Sequence, residues 1–186
     1  MSKLLVIDTE TGGLDPNKNS ILSIGGVVLD EGAKPIDEFE FYIKETNIFA
    51  EQRALDINKI DLKWLNENGK SPKEVVQSME YFLSKHYKLK DEKITIVGQN
   101  VGFDVGFVKR LYRLVEKNYE DIFSYRSIDT ASILRFLNLA GKINIATGGL
   151  GEALDYFGIN KEVKHSALAD AKDTAALLSK MLERIK

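Results

Sequence analysis

The apolar run Leu4-Leu5-Val6-Ile7 is followed at once by Asp8-Thr9-Glu10, and this junction constrains the chain more than any other stretch. Four consecutive apolar residues, with the turn sequence Gly12-Gly13-Leu14-Asp15-Pro16 downstream, read as a buried strand over residues 3–8. On a strand, residues two apart share a face, so Asp8 and Glu10 stand side by side at its end. At about 4 Å and an effective dielectric near 20, two such charges repel by about 4 kcal/mol, a large share of a domain's stability. Either one is protonated, or a cation sits between them, or Glu10 has left the strand and both are solvated beside the glycine turn. A hard divalent cation is the usual partner of paired carboxylate oxygens.

The rest of the chain supplies a frame for that strand. Residues 21–30, ILSIGGVVLD, make a second strand, and residues 36–43, IDEFEFYI, a third. In the third, Ile36, Phe39, Phe41 and Ile43 mostly alternate with acidic or polar neighbours, the pattern of a half-buried strand with one solvated face. Short turns between the three make an antiparallel meander. Residues 50–68 then read as short helical pieces. Ser71-Pro72-Lys73-Glu74 is a helix start, with Ser71 as cap and Pro72 at the first helical position. That helix is expected to run to about His86 with Val75, Met79, Phe82 and Leu83 inward, followed by a charged, solvated connection, KHYKLKDEK.

Residues 94–98, ITIVG, are a further buried strand, Phe103 to Val115 has helical spacing, and residues 125–129 form a last strand leading into a helix from about Thr130. Helices are expected over Leu150 to Phe157 and Ala167 to Ile185, the last with Leu168, Ala171, Ala175, Leu178 and Leu182 as its apolar stripe. A meander followed by strand–helix alternation is a mixed α/β arrangement, expected as one domain over residues 1–186.

Composition removes several classes. With 44% hydrophobic and 29% charged residues the chain is not a disordered one. A net charge of −2 excludes nucleic-acid binding through bulk positive charge but leaves room for a local site. No cysteine is present, which excludes disulfides and thiolate metal sites. Asp8 and Glu10 interrupt any signal-peptide core, and no apolar run reaches membrane-spanning length, so the expectation is a cytoplasmic protein without a membrane partner. Gly148-Gly149-Leu150-Gly151 lacks the lysine and hydroxyl residue of a phosphate-binding loop, and a dinucleotide fingerprint fails at Leu154.

Two further acids stand where apolar surroundings make them conspicuous. In GQNVGFDVGF, Asp104 lies among Phe103, Val105 and Phe107 just after a buried strand, where a helix begins. The bland account is an acid favouring the positive end of that helix. In HSALADA, Asp170 is flanked by small and apolar residues inside the last helix, and His165 precedes it by five. A histidine beside a buried acid at a helix start is suited to proton transfer.

Taken in order, DTETGGLDP, QNVGFDVGF and HSALADA resemble the three motifs of the DEDDh 3'-5' exonucleases. That family includes the proofreading subunit of bacterial DNA polymerase III, ribonuclease T and oligoribonuclease. The likeness extends through ALDINKIDLKWLNENGKSPKEVVQSMEYFL and LGEALDYFGI, so it covers nearly the whole chain. Ser166 stands four residues before Asp170, where the sister subclass has tyrosine, which places the chain with the histidine subclass.

The resemblance implies a ribonuclease H-like fold: a five-stranded mixed sheet of order 3-2-1-4-5 with helices on both faces. It implies Asp8, Glu10, Asp104 and Asp170 as ligands of two divalent ions, Mg2+ or Mn2+, and His165 as general base. Around them Thr11, Gly12, Gly13, Leu14, Asn100 and Phe103 are the expected substrate contacts. Ordinary core packing for Phe103 and turn-capping for Asn100 stand beside those roles, and Trp64 and His86 read as structural. The implied activity releases nucleoside 5'-monophosphates from 3' ends of single-stranded nucleic acid, DNA or RNA, with DNA only weakly favoured. A polymerase or repair complex and a second copy of the chain are the implied partners. Ser23 departs from the acidic residue many relatives carry in the second strand. The rival readings are a phosphohydrolase acting on short oligonucleotides or small nucleotide esters, and a catalytically silent nucleic-acid-binding domain of the same fold.

Overall fold

The computed structural model describes residues 3–145, 149–160 and 166–185. Its centre is a five-stranded sheet of order β3-β2-β1-β4-β5, formed by β1 (Leu4–Thr11), β2 (Ile21–Leu29), β3 (Pro35–Tyr42), β4 (Ile94–Gly98) and β5 (Phe123–Asp129). The first three strands are antiparallel neighbours, while β4 runs parallel to β1 and β5 parallel to β4. This is the mixed sheet of ribonuclease H-like order expected from the sequence.

Around the sheet lie α1 (Gln52–Asn58), α2 (Leu62–Asn68), α3 (Pro72–Ser84), α4 (Gly102–Arg113), α5 (Thr130–Leu139), α6 (Leu150–Phe157) and α7 (Ala167–Ile185). Strand alternation sorts β1 between two cores. Leu5 and Ile7 face one layer with Val75, Met79, Phe107 and Leu111 of α3 and α4. Val6 faces the other with Leu134, Leu154, Ala171 and Leu178 of α5, α6 and α7. Asp8 and Glu10 therefore fall on the α7 side, and Thr9 on the α4 side.

Local chemistry explains why the elements start where they do. Ser71 and Glu74 form a reciprocal capping box with Pro72 in the first turn of α3. At the start of α7, Ser166 Oγ accepts from the Ala169 amide at 3.3 Å. A second acceptor arrives from the sheet: Glu40 Oε1 on β3 takes the Leu168 amide at 3.2 Å. The sheet permits that approach because β2 carries glycine beneath it. A Cβ on Gly25 would lie 2.2 Å from the Leu168 nitrogen and 2.3 Å from the Ala167 carbonyl carbon.

Four expectations change in detail. The polar face of β3 is not simply solvated, because Glu40 caps α7 and Glu38 pairs with Lys172 of that helix at 2.8 Å. Ile36, on the same face, is 46% exposed rather than inward. On α7 the buried stripe passes through Leu177 and Met181, leaving Leu182 36% exposed. The charged connection after α3 is also less solvated than its composition implies: Tyr87 is buried and Leu89 packs against the core. Among the described residues no helix is long and apolar enough to cross a membrane.

Candidate active site

β1 stays extended through Thr11, so Glu10 has not left the strand; it pairs with Ser23 of β2, and Asp8 with Gly25. The two carboxylates thus project together toward the first turn of α7. There Asp170 meets them: one ligating oxygen from each of Asp8, Glu10 and Asp170 lies within 4.8 Å of the others. α4 begins directly after β4, parallel to β1, and delivers Asp104 to the same sheet end. Asp104 is 3% exposed and accepts a 2.8 Å hydrogen bond from the Thr9 hydroxyl.

Four acids converge from three elements, and burial with neighbouring charge shifts the protonation of the two on β1. Burial, then the charges of Asp104, Asp170 and Glu10, raise the Asp8 carboxyl well above its ordinary value. Burial, then Asp170, Asp104 and Glu40, push Glu10 from 4.5 to about 7. Burial raises Asp104 from 3.8 to about 7, against the pull of the Thr9 hydrogen bonds. Burial comes first in all three, because a carboxylate withdrawn from water holds its proton more tightly. The donor set is all oxygen and suits a hard divalent ion. Across the strand from Glu10, Ser23 is 1% exposed and its hydroxyl has no hydrogen-bond partner among the described residues.

The acids open into a groove. A cavity of about 270 Å³ is lined by Asp8, Thr9, Glu10, Ile57, Asn58 and Asp170. It adjoins a second, about 290 Å³, that shares Thr9, Glu10, Ile57 and Asn58 and continues past Thr11, Gly13, Leu14, Ala54 and Phe103 to Glu51 and Arg53. Leu14 stands 81% exposed at the rim. Phe103 lines the cavity and also packs on Phe107, with ring centroids 5.0 Å apart.

Thr11, Gly13, Leu14 and Phe103 therefore lie where substrate contacts are expected, and two other candidates do not. Gly12 is outside the lining of both cavities, and its missing side chain serves packing: a Cβ there would sit 2.3 Å from the Phe49 carbonyl oxygen. Asn100 is exposed in a left-handed conformation with φ 55°, its backbone N–H donating to Asp129 Oδ1 at 2.8 Å, and it lines neither cavity. His165 lies outside the described residues. His86 is held by Asp37 at 2.8 Å and Trp64 packs edge-on to Tyr42, both structural as expected.

The contribution of α1 was not legible in the sequence. Asn58 donates to the Thr11 carbonyl at 3.0 Å and accepts from the Ile60 amide at 3.0 Å, fixing the end of β1 while lining both cavities. A seven-residue helix carries too little periodicity to show which side faces a groove. The one cue was a lone asparagine closing the apolar pair Leu55 and Ile57.

A family model described as exonuclease matches residues 5–178. The chain belongs to that exonuclease family. It is 30% identical over 194 residues to ribonuclease T of Wigglesworthia glossinidia brevipalpis, covering 98% of this chain and 85% of that one. It is also 28% identical over 183 residues to the PolC-type DNA polymerase III of Thermotoga petrophila, covering 98% of this chain but 12% of the polymerase. Among solved structures, Escherichia coli exonuclease I in complex with a dT13 oligonucleotide superposes with a TM-score of 0.83 at 19% identity, over 99% of this chain and 42% of that one. The chain thus spans under half of exonuclease I and about an eighth of the polymerase, and shares the fold of the exonuclease I structure.

Proposed function

We propose that the protein is a divalent-metal-dependent 3'-5' exonuclease that removes nucleoside 5'-monophosphates from single-stranded nucleic acid. The observation that carries this reading is the gathering of Asp8, Glu10 and Asp170 within 4.8 Å at one end of a groove that continues between Leu14, Ala54, Ile57 and Phe103. A phosphodiester is anionic, so four bare carboxylates would repel it; they suit it only with cations between. Asp8 would contact both ions, Glu10 and Asp170 would complete the first set, and Asp104 would serve the second. Bound there, two divalent ions supply a water of lowered pKa and charge compensation at the leaving oxygen.

The chain's own groups do the rest. His165, with an ordinary pKa near 6.5, would take the water's proton close to neutral pH. Thr9 holds Asp104 by its hydroxyl, and Glu40 holds the helix turn that carries Asp170. Leu14 and Phe103 would flank the terminal base, where contact with an aromatic tolerates any sequence. Mg2+ or Mn2+ is the proposed cofactor, and DNA the weakly preferred polymer, in line with the oligodeoxynucleotide bound by exonuclease I.

The test is a gel assay of 5'-labelled single-stranded DNA and the matching RNA with Mg2+ or Mn2+, comparing wild type with Asp8→Ala and His165→Ala. The expected result is a ladder shortening from the 3' end, absent in EDTA and in Asp8→Ala and strongly reduced in His165→Ala. Intact polymers with the wild-type protein would overturn the reading.

A further inference from the structure

We propose that Arg53 reads the base of the 3'-terminal nucleotide and favours guanine over cytosine at that position. This rests on the exonuclease reading of the same groove. The groove is polarised along α1. Asn58 and Ile57, at the carboxyl end of the helix, line the acid cavity and the apolar cavity alike. Arg53 and Glu51, at its other end, line the apolar cavity alone. Five residues of helix separate Arg53 from Asn58, a rise of about 7.5 Å. That is the scale on which a nucleotide extends from its sugar to the far edge of its base. A nucleotide whose 3' end lies against Glu10, with its ring between Leu14, Ala54, Ile57 and Phe103, presents its outer edge to Arg53.

The two charged residues at that end are not equivalent. Glu51 Oε1 accepts from Asn19 Nδ2 at 3.2 Å and is tied into the turn after β1. Arg53 is exposed at the cavity mouth, and its guanidinium makes no ion pair or hydrogen bond with the other described residues. A guanidinium offers donors only, in a planar fork. Guanine O6 and N7 accept both prongs from one edge, whereas cytosine places its N4 amino donor on the corresponding side. A purine also fills more of a cavity of about 290 Å³ than a pyrimidine does.

The experiment uses 5'-labelled single-stranded DNA oligonucleotides that differ only in the 3'-terminal nucleotide. Removal of that nucleotide is timed with Mg2+ for wild type, Arg53→Met and Arg53→Lys. The expected wild-type preference for terminal guanine over cytosine is at least about fivefold in kcat/KM, the lower end of what a bidentate arginine–guanine contact supplies. Arg53→Met brings the ratio to within about twofold. Arg53→Lys, a point charge without the fork, falls between. Equal wild-type rates on the two ends overturn the proposal and leave the exonuclease reading standing. So does an Arg53→Met variant slowed equally on all four ends with a shallower salt dependence, which would assign the guanidinium to a phosphate. No cleavage of any oligonucleotide by the wild type would overturn the exonuclease reading, and this inference with it.

Discussion

Glu10→Gln should make the metal-free protein more stable while disabling it. In the folded chain burial and neighbouring charge raise Glu10 from 4.5 to about 7. Each pH unit of such a displacement is worth about 1.4 kcal/mol, so ionised Glu10 costs the folded state about 3 kcal/mol at pH 8. That is an upper figure, because the carboxylate keeps some exposure and water screens part of the repulsion. The sign follows from the raised folded-state value. Stability is fully present below pH 4.5, falls as pH rises, and is lost once pH passes 7. Glutamine has nearly the same shape and no charge, so it removes the cost and also relieves Asp8, which the Glu10 charge raises.

The assay is urea unfolding in EDTA at several pH values. At pH 8 the variant should exceed wild type by about 2–3 kcal/mol, or roughly 4–12 °C in Tm for a chain of this size. Near pH 4.5 the gap should shrink below about 0.5 kcal/mol, because both forms are then largely neutral in the native state. Adding Mg2+ at pH 8 should stabilise wild type more than the variant, by mass action on a site that keeps all its acids. A variant no more stable than wild type at pH 8, or a gap independent of pH, would refute the argument that these carboxylates hold unneutralised charge.

Three other substitutions test the frame. Glu45→Ala removes the buried partner of Arg110, side chains 5% and 13% exposed, and should cost about 3–5 kcal/mol in chemical denaturation. The pair Glu45→Leu with Arg110→Met should recover most of that loss. Gly25→Ala should displace the first turn of α7, from which a Cβ would be 2.2 Å, lowering kcat about 10–100-fold in the gel assay and raising the Mg2+ concentration for half-maximal activity. Lys59→Gly, at a helix end with φ 58°, should stabilise by about 0.5–1 kcal/mol in thermal melts and leave kcat unchanged.

Strands and long helices were legible because their burial is periodic. LLVIDTET alternates between two cores once its central position is known, and α3 announces itself through Ser71, Pro72 and Glu74. The acids were legible for a different reason, since a charge directly after an apolar run has few explanations. What stayed hidden is carried by backbone. Gly25 matters for how closely α7 approaches the sheet, and Asn58 for a carbonyl 47 residues away in the sequence. Neither leaves a periodic mark. Gly12 is a third such position: the room it leaves is taken by the Phe49–Ala50 backbone.

The same geometry explains why the acids come from these three elements. β1 and β4 are parallel neighbours, so their carboxyl ends share one edge of the sheet, and the residues that follow β4 reach the side chains that end β1. α7 enters from the opposite face at Gly25, where the sheet allows its closest approach, and brings Asp170 in its first turn. Glu40 reinforces that seat at a cost, because the carboxylate that caps the helix also adds negative charge felt by Glu10. Replacing Glu40 with glutamine keeps an acceptor for the Leu168 amide and deletes the charge, so it should preserve the fold and lower the pH at which Glu10 ionises. Replacing it with alanine deletes both, and should loosen α7. A cluster assembled against its own repulsion is stable only because the fold holds each acid independently: Asp8 and Glu10 by strand register, Asp104 by Thr9, and Asp170 by a helix seated on glycine.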